Sequence, residues 1–113
     1  MRDDLAPPKG MFLVARDGAD AVACGGLKTI DATTGEVKHM FVQPDHRGRG
    51  IAAQILTTLE GHARSLGMTR AVLDTNECLI EAVALSERAG YVPIDAYNDN
   101  PCATHWFEKH LVP

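Results

Sequence analysis

The chain has 113 residues, enough for one ordinary core and too few for a second, so residues 1–113 read as a single domain. Hydrophobic residues make up 45% and charged residues 23%, a globular balance that excludes a disordered chain. A net charge of −4 argues against wholesale nucleic-acid binding, and no apolar run approaches the ~18 residues a transmembrane helix needs.

The start, Met1-Arg2-Asp3-Asp4, is acidic where a signal peptide would be basic and then apolar, so a cytoplasmic location is expected. Cys24, Cys78 and Cys102 are odd in number, widely spaced and without a CxxC pair, which fits reduced thiols rather than a disulfide frame or zinc site. The histidines, His39, His46, His62, His105 and His110, form no HExxH pattern, and no metal is expected.

In chain order, residues 3–10 are a polar lead-in with two prolines, and 11–16 form a short strand ended by the turn pair Asp17-Gly18. A second strand covers 21–30. Its Gly25-Gly26 pair marks a bulge or a close backbone approach, or else simply a weakened strand. A turn cluster at 31–35 leads to a third strand, 36–43, completing an antiparallel meander. The period then changes. Apolar Ala52, Ile55, Leu56, Leu59, Ala63 and Leu66 predict a helix over 51–66, closed by Gly67. A strand at 70–74, a helix at 80–89 capped by Gly90, and strands at 91–96 and 103–111 follow, the last two separated by a polar loop. Strand, helix, strand over 37–74 is a βαβ unit. The expected architecture is α+β: a mixed, mostly antiparallel sheet of about six strands, one βαβ crossover and two main helices.

The stretch from Val42 to Ala53 carries the chemistry. A strand stops at Pro44, a loop holds Arg47-Gly48-Arg49-Gly50, and a helix opens at Ile51. Free first-turn amides, the helix dipole and glycines without a Cβ make this an anion site, suited to a phosphate-bearing cofactor. Gly48-x-Gly50-x-x-Ala53 also matches the dinucleotide fingerprint, with Asp74 near the place of a ribose-binding acid. That reading needs a doubly wound sheet, and a single βαβ unit after a meander cannot supply one. A P-loop fails because no Gly-Lys-Ser/Thr follows the glycines. A mere tight turn explains two glycines and leaves the Arg-x-Arg alternation unexplained.

Arg47-Gly48-Arg49-Gly50-Ile51-Ala52 resembles the Q/R-x-x-G-x-G/A signature of the GNAT superfamily of N-acetyltransferases. Residues 37–44 resemble that family's strand before the loop, Ala82-x-x-Leu85-x-x-x-Ala89-Gly90-Tyr91 its later helix, and Phe107-Glu108-Lys109 its closing strand. The resemblance implies an acyl-CoA N-acyltransferase fold and transfer of acetyl from acetyl-CoA to an amine, small or on a protein, in a ternary complex. It implies that Arg47, Gly48, Arg49, Gly50, Ile51, Ala52 and Ala53 hold the pyrophosphate of coenzyme A. The pantetheine arm would then lie along Met40, Phe41 and Val42, between strands that splay apart, with Asn76 touching it.

Acetyl transfer needs a deprotonated amine, a polarised carbonyl and a protonated leaving thiolate. By the same resemblance a backbone N–H near Met40 would serve the carbonyl and Glu36 would be the base, with His39 a second candidate on the strand. The family's acidic tyrosine aligns with Ser86, a weaker acid of shorter reach, so water or Tyr97 is an alternative donor. The family usually places a strand and two helices ahead of the segment that starts here near Met11. An acceptor site open or completed by a second subunit is therefore expected, hence a homodimer. The competing expectation is a non-catalytic acyl-CoA-binding or regulatory module.

Overall fold

The computed structural model describes residues 10–76 and 80–112. Cys78 lies outside them. Strands β1 (Gly10–Asp17), β2 (Asp20–Thr29) and β3 (Thr34–Val42) lead into helix α1 (Ile51–Ser65) and strand β4 (Arg70–Thr75). Helix α2 (Ile80–Arg88) and strands β5 (Val92–Ile94) and β6 (His105–His110) complete the order. One six-stranded sheet results, in the order β1-β2-β3-β4-β6-β5. Among the described residues only β3 and β4 pair in parallel, and every other neighbouring pair is antiparallel. The α+β expectation, with its single crossover between adjacent parallel strands, is what the chain forms.

The amphipathic spacing of α1 buries Ile55, Leu56, Leu59 and Ala63 against the meander. Leu27, Val37, Leu73 and Phe107 meet them from the sheet, and Val83 and Ala89 of the α2 segment pack on the same cluster. Both helices thus cover one face. Strand side chains alternate between faces. Glu36, beside core Val37, therefore points to the opposite face, as do Asp74 and Trp106, beside core Leu73 and Phe107.

β3 starts at Thr34 rather than 36, inside the expected turn cluster, and the last two strands also differ from the sequence reading. The strand expected over 91–96 is only Val92–Ile94. Tyr91 turns into the core, Pro93 has no N–H for a ladder and sits on the edge strand, and the chain then leaves the sheet. The final strand starts at His105 rather than 103, because Asn100 gathers the chain first: its side chain accepts from Cys102 N at 3.0 Å and its carbonyl from Ala103 N at 3.2 Å.

Candidate functional site

β3 and β4 pair at only three positions, Thr34 with Arg70, Gly35 with Ala71 and Glu36 with Val72. Beyond these, residues 37–42 and 73–75 continue with no ladder between them, while β3 stays bonded to β2 and β4 to β6. The sheet forks at the carboxyl ends of its two parallel strands, the place where open α/β sheets take ligands. A bulge in β3 contributes to the parting: His39 and Met40 together stand opposite Gly25, since Cys24 pairs with Phe41 and Gly26 with Lys38. The extra residue bends its strand and increases the local twist. His39 adopts φ +55°, and its carbonyl accepts the Cys24 thiol at 3.3 Å. Gly25 is required opposite: a Cβ there would lie 2.5 Å from Met40 Sδ and 2.7 Å from Ile55 Cγ2. The glycine pair therefore marks a close approach, and the bulged residue lies on the neighbouring strand.

The loop after β3 begins with a 3-10 turn, Pro44–His46, and is anchored where Arg47 Nε donates to the Val42 carbonyl at 3.2 Å. Gly48 and Gly50 both take φ +77°, a left-handed conformation that other residues adopt only under strain. Gly50 caps α1 without any side-chain cap bond, and the first turn carries no acidic residue. The first intrahelical bond runs from Gln54 N to Gly50 O, 3.1 Å. The amides of Ile51, Ala52 and Ala53 thus precede the helix ladder, at the positive end of a 15-residue helix. A Cβ added at Gly48 or Gly50 would meet nothing within 4 Å, so the loop backbone is open to an incoming anion.

On the face away from the helices, Glu36 sits at the last paired position before the fork and is only 4% exposed. Tyr97 donates its hydroxyl to Glu36 Oε2 at 2.6 Å, and Lys38 Nζ lies 3.7 Å from Oε1. Burial first, then the hydrogen bond to Glu36 and the carboxylates of Glu36 and Asp74, push the Tyr97 phenol well above an ordinary tyrosine; Arg70 offsets this in part. Asn98 fixes this loop by donating to Asp74 Oδ2 at 2.7 Å and accepting from Trp106 Nε1 at 3.0 Å.

Met40 and Val42 are half-buried along the fork, and Phe41 is 50% exposed on the opposite side of the strand. Asn76 follows β4, its amide donating to the Cys102 carbonyl at 2.6 Å. Ser86 is buried in α2 with its hydroxyl donated to Ala82 O at 2.9 Å, so its proton serves its own helix. His39 is exposed. The Asp74–Asn98–Trp106 network was invisible in sequence; its one signal was the run of Asx residues, which reads only as a polar loop. Among the described residues no group of three or more His, Cys, Asp or Glu gathers to hold a metal.

Residues 1–91 match the model of the acetyltransferase (GNAT) family, and the chain belongs to that family, whose members are acetyl-CoA-dependent N-acetyltransferases. It is similar to an IAA acetyltransferase of Azospirillum brasilense, 36% identical over 95% of this chain and 72% of that one. It spans about half the length of several other curated relatives it matches. A Klebsiella pneumoniae structure assigned to the acyl-CoA N-acyltransferases superposes with TM-score 0.86 at 30% identity, over 96% of this chain and 77% of that one. An Elizabethkingia anophelis GNAT structure with acetyl-CoA bound shares the fold at TM-score 0.77 and 19% identity, over 91% and 77% of the two chains.

Proposed function

We propose that this chain moves the acetyl group of acetyl-CoA directly to an amine in a ternary complex. The observation that carries the proposal is the fork: two parallel strands part after three residue pairs, beside an open glycine loop at a helix start. The pyrophosphate is assigned to the amides of the 47–53 loop and helix start, Arg47 through Ala53, with Arg49 adding positive charge. The peptide-like pantetheine arm is assigned to the backbone edge at Met40, Phe41 and Val42, with Asn76 at the far side; free strand edges suit such an arm. A bulge amide near Met40 polarises the thioester carbonyl. Glu36 is the base. A thiolate is a good enough leaving group to depart without a strong acid, so the engaged hydroxyl of Ser86 does not prevent reaction.

The acceptor is a small or protein-borne amine, and the working unit is a homodimer. Val14, Cys24 and Phe41 form one row across β1, β2 and β3 on the face without helices, with Val14 42% and Phe41 50% exposed, which supports a second copy covering it. Free Cys24 and Cys102 support a reducing, cytoplasmic setting.

A non-catalytic acyl-CoA-binding module is the competing reading, favoured by Ser86, whose proton is engaged, and by Glu36, which is closed off. Release of free thiol from acetyl-CoA across a panel of tyramine, spermidine, lysine and glycinamide separates the two. The enzyme releases thiol with at least one amine; binding of coenzyme A without release from any would establish the module.

A further inference from the structure

We infer that the Tyr97 hydroxyl is the proton conduit between the acceptor amine and the buried carboxylate of Glu36, an inference that rests on Glu36 being the base. Glu36 is 4% exposed, one oxygen takes the Tyr97 hydroxyl at 2.6 Å and the other faces Lys38. Direct contact between that carboxylate and an incoming amine requires Tyr97 to leave. Transfer through Tyr97 does not. Tyr97 is itself only half-buried, and its oxygen keeps lone pairs able to accept an N–H.

In the step proposed, one N–H bond of the acceptor, bound as its ammonium, breaks and the proton passes to the Tyr97 oxygen, leaving a neutral amine. The Tyr97 O–H bond breaks in concert and that proton passes to Glu36 Oε2. The nitrogen keeps the electron pair that attacks the thioester carbonyl. Tyr97 ends as neutral phenol and Glu36 as the acid; after attack the nitrogen gives up a second proton as the C–S bond breaks, and of the two protons released one goes to the leaving thiolate and the other to solvent. The surroundings favour a phenol that never holds charge, since burial and the carboxylates of Glu36 and Asp74 disfavour phenolate. The charged groups facing the pair are Lys28 across on β2, Lys38 on β3, Arg70 and Asp74 on β4, and Glu108 of β6 through its ion pair with Arg70. Asn98, held by Asp74 and Trp106, fixes the backbone next to Tyr97 and so keeps the hydroxyl on line.

The test compares Tyr97→Phe, Glu36→Gln and the double variant, using the panel amine turned over fastest, with kcat/KM followed from neutral pH up to the acceptor's own pKa. Each single variant loses roughly 10²-fold at neutral pH, the double variant loses little more, and both deficits shrink as solvent supplies neutral amine. Retained stabilisation by coenzyme A certifies that each variant is folded. A Tyr97→Phe enzyme as active as the parent overturns the conduit, as does a deficit constant across pH, which marks a merely structural role. Full activity of Glu36→Gln overturns the base reading as well, and absence of turnover with every amine overturns both.

Discussion

His39 is the residue whose backbone most clearly contradicts local preference. A left-handed conformation costs a residue with a Cβ about 1–2 kcal/mol, and the chain accepts it to place the bulge opposite Gly25. His39→Gly relieves that strain at an entropic cost of about 0.5–1 kcal/mol, a net gain of about 0.5–1 kcal/mol. His39→Val keeps that cost and adds the crowding of a β-branched side chain, so it is less stable than the parent. Urea midpoints of the two variants check the prediction, and equal stability of both would remove the strain argument. Gly50 makes the complementary case. Its φ of +77° strains any other residue, yet an added Cβ meets no protein atom within 4 Å, so Gly50→Val costs about 1–2 kcal/mol of stability while standing in the proposed path of the phosphate. Thermal stabilisation by coenzyme A should vanish in a variant that still unfolds cooperatively; if it survives, the anion binds elsewhere. Gly48 and Gly50 were readable from sequence because a strand-to-helix turn demands that backbone. The Tyr97–Glu36 bond was not, since its partners are 61 positions apart and local pattern carries nothing over that span.

At the scale of elements, α1 was legible because 3.6-residue spacing and a closing glycine act within one segment. The fork depends on which strands stop pairing and where, which propensity does not encode; it was expected from family resemblance alone. β5 shrank because Tyr91 was needed inside. There the Tyr91 hydroxyl donates to buried Glu60 Oε2 of α1 at 2.9 Å, and Lys109 Nζ of β6 reaches Oε1 at 3.1 Å. This buried cluster ties the helix that opens at Gly50 to the far half of the sheet. Tyr91→Phe leaves Glu60 one partner short and costs about 1–3 kcal/mol. Burial and the Glu60 carboxylate raise the Tyr91 phenol well above its ordinary value of 10.0. The folded state keeps a proton that the unfolded chain gives up, so this contribution is whole below pH 10.0 and falls as pH rises beyond it. Tyr97 acts with the same sign. Denaturant melts above pH 10.0 should show a shallower decline for Tyr91→Phe than for the parent; parallel declines would contradict the assignment.

For the whole molecule, the helices cover one face of the sheet, while the other carries Glu36, the 97–98 loop segment and the half-exposed row of Val14 and Phe41. The proposed dimer predicts that Phe41→Glu, which sets a charge in that row, shifts the mass seen by light scattering from dimer to monomer; a parent chain that is already monomeric at working concentration refutes it. No described helix is long and apolar enough to cross a membrane. As proposed, fork and glycine loop together make a site for coenzyme A rather than for a dinucleotide, and on that assignment the rest of the proposed chemistry depends. Thermal melts with coenzyme A, acetyl-CoA and NAD put it to the test, because a ligand at 100 times its Kd adds about 2.7 kcal/mol of stability. Coenzyme A and acetyl-CoA should stabilise the chain and NAD should not. Stabilisation by NAD alone would contradict the coenzyme A site.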